Sequence, residues 1–171
     1  QNLIIENRLL SGTQVTDPIS GIFPAIYAGV WFHGGGRGLV SNSIVRDFTD
    51  TTFDQEGVGI FIGDDSDSGV QVELSHIVNN EIGIRIAGDN VTVEDNQIED
   101  NGIGISSIGG SNTQVHGNNF LPGSLTQTSF MDLNSNNIDA SGNHWENSLG
   151  ITCNYSGGLV SWALFRLCAQ I

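Results

Sequence analysis

Val91-Thr92-Val93-Glu94-Asp95-Asn96-Gln97-Ile98 decides how this chain folds. Apolar and polar residues alternate from Val91 to Val93, and an apolar position returns at Ile98, two residues after Asn96. Period-two alternation marks a strand with one buried face. The same pattern stands at Val70 to Ile77 with Ser75 in place of Asn, at Thr113 to Phe120 with Asn118, and at Ile138 to Trp145 with Asn143. Looser copies surround Asn42 and Asn7. The aligned column reads Asn7, Asn42, Ser75, Asn96, Asn118, Asn143, with spacings of 35, 33, 21, 22 and 25 residues. Self-similarity at such a period is the mark of a solenoid.

A second string follows the first in most repeats: Gly29-Val30-Trp31-Phe32, Gly59-Ile60-Phe61-Ile62, Gly83-Ile84-Arg85-Ile86 and Gly104-Ile105-Ser106-Ser107. Each is too short for a helix, and Gly, Asn, Asp and Ser fill the stretches between, which are turn residues. About 22 residues with three short strands and three turns make one coil. The expected fold is therefore all-β, a right-handed parallel β-helix of about six coils. Val70, Val72, Ile77, Ile82, Ile84 and Ile86 should line the bore of one coil, and Val91, Val93, Ile98, Ile103 and Ile105 that of the next. The Asn column is assigned a structural role. Asn reaches left-handed backbone conformations at low cost, and its amide can bond to the Asn above and below.

Composition agrees with this reading. The chain has 171 residues, which is one domain, and 38% of them are apolar, enough for a continuous core. There are 23 glycines and 3 prolines, a mixture suited to many tight turns. Five arginines and no lysine face 19 acids, for a formal charge of −14, which argues against nucleic acid as a partner. No run of 18 apolar residues exists, so no membrane span is expected. The two cysteines, Cys153 and Cys168, fit either a disulfide of an oxidising compartment or two buried thiols.

The stretches V-T-V-E-D-N-Q-I-E-D-N-G-I-G-I, V-E-L-S-H-I-V-N-N-E-I-G-I-R-I and A-S-G-N-H-W resemble the right-handed parallel β-helix repeat proteins of the pectin lyase-like superfamily. The resemblance covers about residues 1–145. It implies the fold and an extracellular or cell-surface location. It leaves activity open, because lyases, hydrolases, epimerases, tailspikes and adhesins share this architecture. Gly63-Asp64-Asp65 is similar to the start of the G-D-D-C motif of galacturonan hydrolases, but Ser66 and Asp67 follow it, and the later G-H-G and R-I-K elements are missing.

Residues 1–146 are expected to form the coils and the apolar segment 147–171 to cap the open end of the bore. Thr13–Pro24 and Asp47–Gln55 exceed one coil and read as loops at one corner. The N-terminal end shows no cap, which points to end-to-end self-assembly or to upstream coils of a longer chain.

Strand alternation places Trp31, Phe61, Arg85 and Ser106 in one outward column, beside a strip formed by Gly29, Gly59, Gly83 and Gly104. Trp31, Phe61 and Arg85 are the candidate ligand-binding residues. Aromatic faces stack on sugar rings, and Arg pairs with hydroxyls or a uronate. His33 with Asp64 and Asp65 on the next coil is the candidate acid–base set for a glycosidic bond. Asp64, Asp65 and Asp67 could also hold calcium through oxygen ligands, and no other cofactor is expected. Two functions follow. The first is a non-catalytic extracellular module of a surface, fibre or adhesin-type protein, in contact with polysaccharide. The second is a polysaccharide-active hydrolase, lyase or epimerase.

Overall fold

The computed structural model describes residues 3–6, 25–33, 37–49, 55–63, 69–121, 123, 128–132, 136–146 and 151–153. Among them every regular element is a strand, and the strands form three sheets. The first holds Leu3–Glu6, Ser43–Arg46, His76–Val78, Gln97–Glu99, Asn119–Leu121 and His144–Trp145. In the second are Ala25–Phe32, Gln55–Ile62, Ile82–Ile86, Ile103–Ser107, Thr128–Asp132 and Ile151–Cys153. Gly38–Ser41, Val70–Glu73, Thr92–Glu94, Ser111–His116 and Asn136–Asp139 make the third. Every pairing is parallel, and each strand pairs with the strand three places away in the chain. The path runs from third sheet to first to second and back, which is a parallel β-helix. Parallel crossovers take the right hand in nearly all proteins.

Like stacks on like along the bore. Val72 lies beside Val93 and Val93 beside Val115; Ile77, Ile98 and Phe120 are consecutive; Ile60, Ile84, Ile105 and Phe130 form another column. All of these side chains are buried. Of the expected core only Ile103 is partly open. Toward the C-terminal coils the bore is filled by aromatic rings, with Trp145 stacked on Phe120 at 4.2 Å and edge-on to Phe130.

The corner between the third and first sheets carries an amide ladder. Asn118 Oδ1 accepts from both the backbone N–H and the Nδ2 of Asn96, each at 3.0 Å. Asn143 Oδ1 accepts the same two bonds from Asn118. Each Nδ2 also donates to a carbonyl of the preceding coil: Asn96 to Val72, Asn118 to Val93 and Asn143 to Val115. Ser75 stands in line, accepting from the Ser43 N–H and giving its own N–H to Asn96 Oδ1. Two corrections follow. Ser41 pairs with Glu73 and Ile44 with His76, so the ladder partner of Ser75 is Ser43, and Asn42 belongs one position earlier. Nor do the ladder asparagines take up the left-handed turn. The residue before each does so: Asn42 (φ 49°), Leu74 (49°), Asp95 (53°), Gly117 (67°) and Gly142 (70°). That division frees the Asn side chain to face inward. Asn7 lies outside the described residues.

A second ladder occupies the corner between the first and second sheets. Asn101 Oδ1 accepts from the N–H and Nδ2 of Asn80, and Asn80 Oδ1 accepts from the Phe48 N–H. Here too the left-handed residues, Asp47, Asn79 and Asp100, come one place earlier. The glycine strip is consequently no open groove floor. A Cβ on Gly59 would lie 3.1 Å from Asn80 Nδ2, one on Gly83 3.2 Å from Asn101 Cγ, and one on Gly29 2.5 Å from the Phe48 ring. These glycines let the second ladder pack against the sheet.

Segments 7–24, 50–54, 124–127 and 147–150, all outside the described residues, each connect the first sheet to the second. Most of the extra length of the chain therefore enters at this corner, with a smaller share between Ile62 and Val70, where the second sheet leads to the third. Ile151–Cys153 pairs in parallel with Thr128–Asp132, so the solenoid passes residue 146 and runs into the segment expected as a cap. The rest of that segment, with Cys168, lies outside the described residues.

Thr113 stands in the bore between Val91 and Ile138, and its hydroxyl is buried without a partner. Thr113→Val should raise unfolding free energy by about 1 kcal/mol, because an unpaired buried hydroxyl costs that much or more. Asn118→Ala should lower it by about 3 kcal/mol, since several buried partners lose their bonds together. Urea unfolding of the two variants checks both signs.

Candidate functional site

The outward column of the second sheet is in register as the alternation requires. Trp31 pairs with Phe61, Phe61 with Arg85, and Arg85 with Ser106. Trp31 is 55% exposed, although its ring packs on both Phe61 (centroids 5.7 Å apart) and His33 (5.4 Å). Trp31, His33 just past the end of its strand, and Phe61 on the neighbouring strand form an open aromatic cluster. Further along the column the surface closes. Arg85 is only 13% exposed and donates through Nη1 to Glu56 Oε2 in an ion pair, and Ser106 is buried. Arg85 therefore spends its charge on Glu56 instead of presenting it to a ligand, which departs from its expected role. Its Nε is buried without a partner.

His33 sits at the end of its strand, exposed, and in line with Gly63, whose N–H donates to the Phe32 carbonyl. Asp64, Asp65 and Asp67 lie outside the described residues. The acid–base set and the calcium loop built on them therefore lie outside as well.

Sequence reasoning passed over a second polar cluster, at the corner between the third and first sheets. His76 Nε2 is 3.0 Å from Glu99 Oε2, and Gln97 Nε2 donates to the same oxygen at 2.7 Å. His116 Nε2 and Glu94 Oε2 are 3.5 Å apart one turn away. A shallow pocket of about 400 Å³ opens beside His76, lined also by Asn42, Ile44, Leu74, Asp95 and Gln97. The signal was present in the sequence as Asp95 and Gln97 on either side of a ladder asparagine. Only coil stacking brings His76 alongside them.

Residues 21–161 match the family model described as periplasmic copper-binding protein (NosD). The chain belongs to the NosD family. This is a family of periplasmic proteins with parallel β-helix-type repeats, so the fold inferred from the repeats is also the fold of the family. No curated protein and no solved structure gives a significant match.

The family description corrects one expectation. No cofactor was foreseen beyond calcium on an aspartate loop, whereas the family is described by copper. The described residues do not fit that metal. Among them no three His, Cys, Asp or Glu side chains come together. The pairs His76–Glu99 and His116–Glu94 offer two donors each, and each pair is satisfied internally. Soft thiolate and thioether donors select Cu(I) and imidazole suits copper, and each of these pairs brings a single imidazole with a carboxylate. Also among the described residues, no helix is long and apolar enough to cross a membrane.

Glu99 supplies a pH test of the corner. The hydrogen bond from Gln97, then that from His76, holds its carboxyl below the ordinary carboxylate range, with burial opposing. A depressed folded pKa stabilises above the unfolded value of about 4.3 and ceases to do so as pH falls through the folded value. The gap in thermal midpoint between the native chain and Glu99→Gln should hold at neutral pH and close in acid. A gap independent of pH would show that the carboxylate charge contributes nothing.

Proposed function

We propose that this chain is an exported, non-catalytic binding module that holds a neutral carbohydrate against the aromatic cluster of Trp31, Phe61 and His33. The observation that carries this reading is Trp31, which stays more than half open while its ring packs against Phe61 and His33. A tryptophan already packed against neighbouring rings loses less entropy when a sugar stacks on it than a free one would. Neutral sugars are favoured over uronates on two counts. The net charge of −14 repels polyanions, and the nearest cation in the column, Arg85, is already paired with Glu56. A periplasmic family with a rigid β-helix scaffold suits a display role, with the ligand contacted from the side of the sheet.

The test is a glycan array followed by a reducing-sugar assay. Binding without products, lost in Trp31→Ala while the far-UV spectrum is unchanged, is the expected result. Released reducing ends would favour the polysaccharide-active enzyme instead.

A second reading, copper binding, is favoured by the family description alone. Competitive titration with Cu(I) and Cu(II) against a chelator of known affinity examines it. Stoichiometric uptake would direct attention to the chain's soft donors, Cys153, Cys168 and Met131.

A further inference from the structure

The chain holds a single Asn-Gly pair, Asn101-Gly102, and the fold calls for both residues. Asn101 is a ladder residue, 2% exposed. Its Oδ1 accepts from the N–H and Nδ2 of Asn80, at 3.0 and 2.9 Å, and its Nδ2 donates to the carbonyls of Ile77 and Glu99, each at 2.9 Å. Gly102 follows because the coil before it passes too close for a side chain. A Cβ there would lie 2.6 Å from the Glu81 carbonyl oxygen, a main-chain atom that also accepts from the Ile103 N–H at 2.8 Å. The ladder residues Asn80, Asn96, Asn118 and Asn143 are followed by Glu81, Gln97, Asn119 and His144. Among the described ladder asparagines, Asn101 alone precedes a glycine.

An asparagine before glycine is the pair most open to attack on its own side chain. No Cβ on the second residue hinders the approach of its backbone nitrogen, and glycine lets the chain bend to the needed geometry. In that reaction the Gly102 nitrogen loses its proton and bonds to Cγ of Asn101. The bond from Cγ to Nδ2 breaks, and that nitrogen leaves as ammonia. Water then opens the cyclic imide at either carbonyl, which puts aspartate or isoaspartate at position 101. The folded coil blocks the first step on both sides. The Gly102 N–H is spent on the Asn80 carbonyl at 2.9 Å, and four hydrogen bonds hold the Asn101 amide in place.

We propose that Asn101 is a covalent modification site gated by unfolding, and that its conversion is a one-way exit from the fold. An aspartate at 101 turns a carboxylate oxygen toward the Ile77 and Glu99 carbonyls, two acceptors with no donor between them. Buried charge without a partner is strongly disfavoured. Isoaspartate adds a main-chain atom just before Ile103 and displaces Ile103–Ser107 from its register with Ile82–Ile86. A chain that stays open at this corner loses the means to close again, while a closed chain keeps its amide.

The experiment incubates the full chain at mildly alkaline pH for equal times in native buffer and in guanidinium chloride. Both samples are returned to native buffer, and deamidation is located by peptide mass mapping. Asn101 should be converted in the denatured sample and intact in the native one. Asn96, buried in the same way but followed by Gln97, should lag far behind it in the denatured sample. The folded fraction recovered by size exclusion should hold only chains with Asn101 intact. Equal conversion of Asn101 in the two samples, conversion of Asn96 as fast as Asn101, or converted chains refolding as well as intact ones would each overturn the proposal. Asn101→Asp made directly should lower the thermal midpoint further than Asn101→Ala, which loses the same bonds and adds no charge. Equal midpoints would overturn the exclusion of converted chains. The mapping uses the native sequence, so it decides the question even where a variant does not fold.

Discussion

Each coil of this protein is bonded to the next by buried asparagine amides, and the rest of the molecule depends on that bonding. A coil of about 22 residues cannot bury its own apolar face, so its stability comes from its neighbours. Backbone pairing alone would tolerate a slip along the strands. The side chains of Asn96 and Asn118 do not, because each must meet a carbonyl on the coil before and an amide on the coil after. A shift of one residue would send the amides to the wrong side and every valine and isoleucine out of the bore. The ladders thus fix register at two corners, and the bore columns follow.

The division of labour at each corner has a simple origin. One residue must turn left and another must point inward, and a single side chain serves both needs poorly. Asp95 turns and Asn96 points in; Asp100 turns and Asn101 points in. The turning residue faces solvent and is free to vary, so the outward corner column can carry Asn, Leu, Asp or Gly without disturbing the core. That freedom is what allows a strained leucine beside His76 while the ladder runs unbroken beneath it.

The two surfaces of interest differ in the same terms. Around Trp31 the scaffold offers rings on an open sheet face, and the neighbouring column is closed by an ion pair and a buried serine. At the Leu74 corner it offers polar and apolar side chains around a small concavity. A regular solenoid builds both from one repeat, because outward positions are released from packing and differ from coil to coil.

The sequence by itself determined the architecture. Its repeat of Val93-x-x-Asn96 and Ile103-x-Ile105 names the strands, the inward columns and the register, since all three follow from period-two alternation recurring every 21 to 25 residues. It also identified Trp31 and Phe61 as neighbours, which needs only the coil count. Adjacent positions defeated it. Asn42 and Ser43 both suit a turn, and only the pairing of Ser41 with Glu73 shows which of them enters the ladder. The second ladder at Asn80 and Asn101 repeats at the same 21-residue interval as Ser75 and Asn96, whereas the filling of the glycine strip and the pairing of Arg85 with Glu56 were decided by tertiary structure. The last two are contacts across corners or between coils of unequal length, and their partners stand at no fixed interval. Periodicity can report only what repeats.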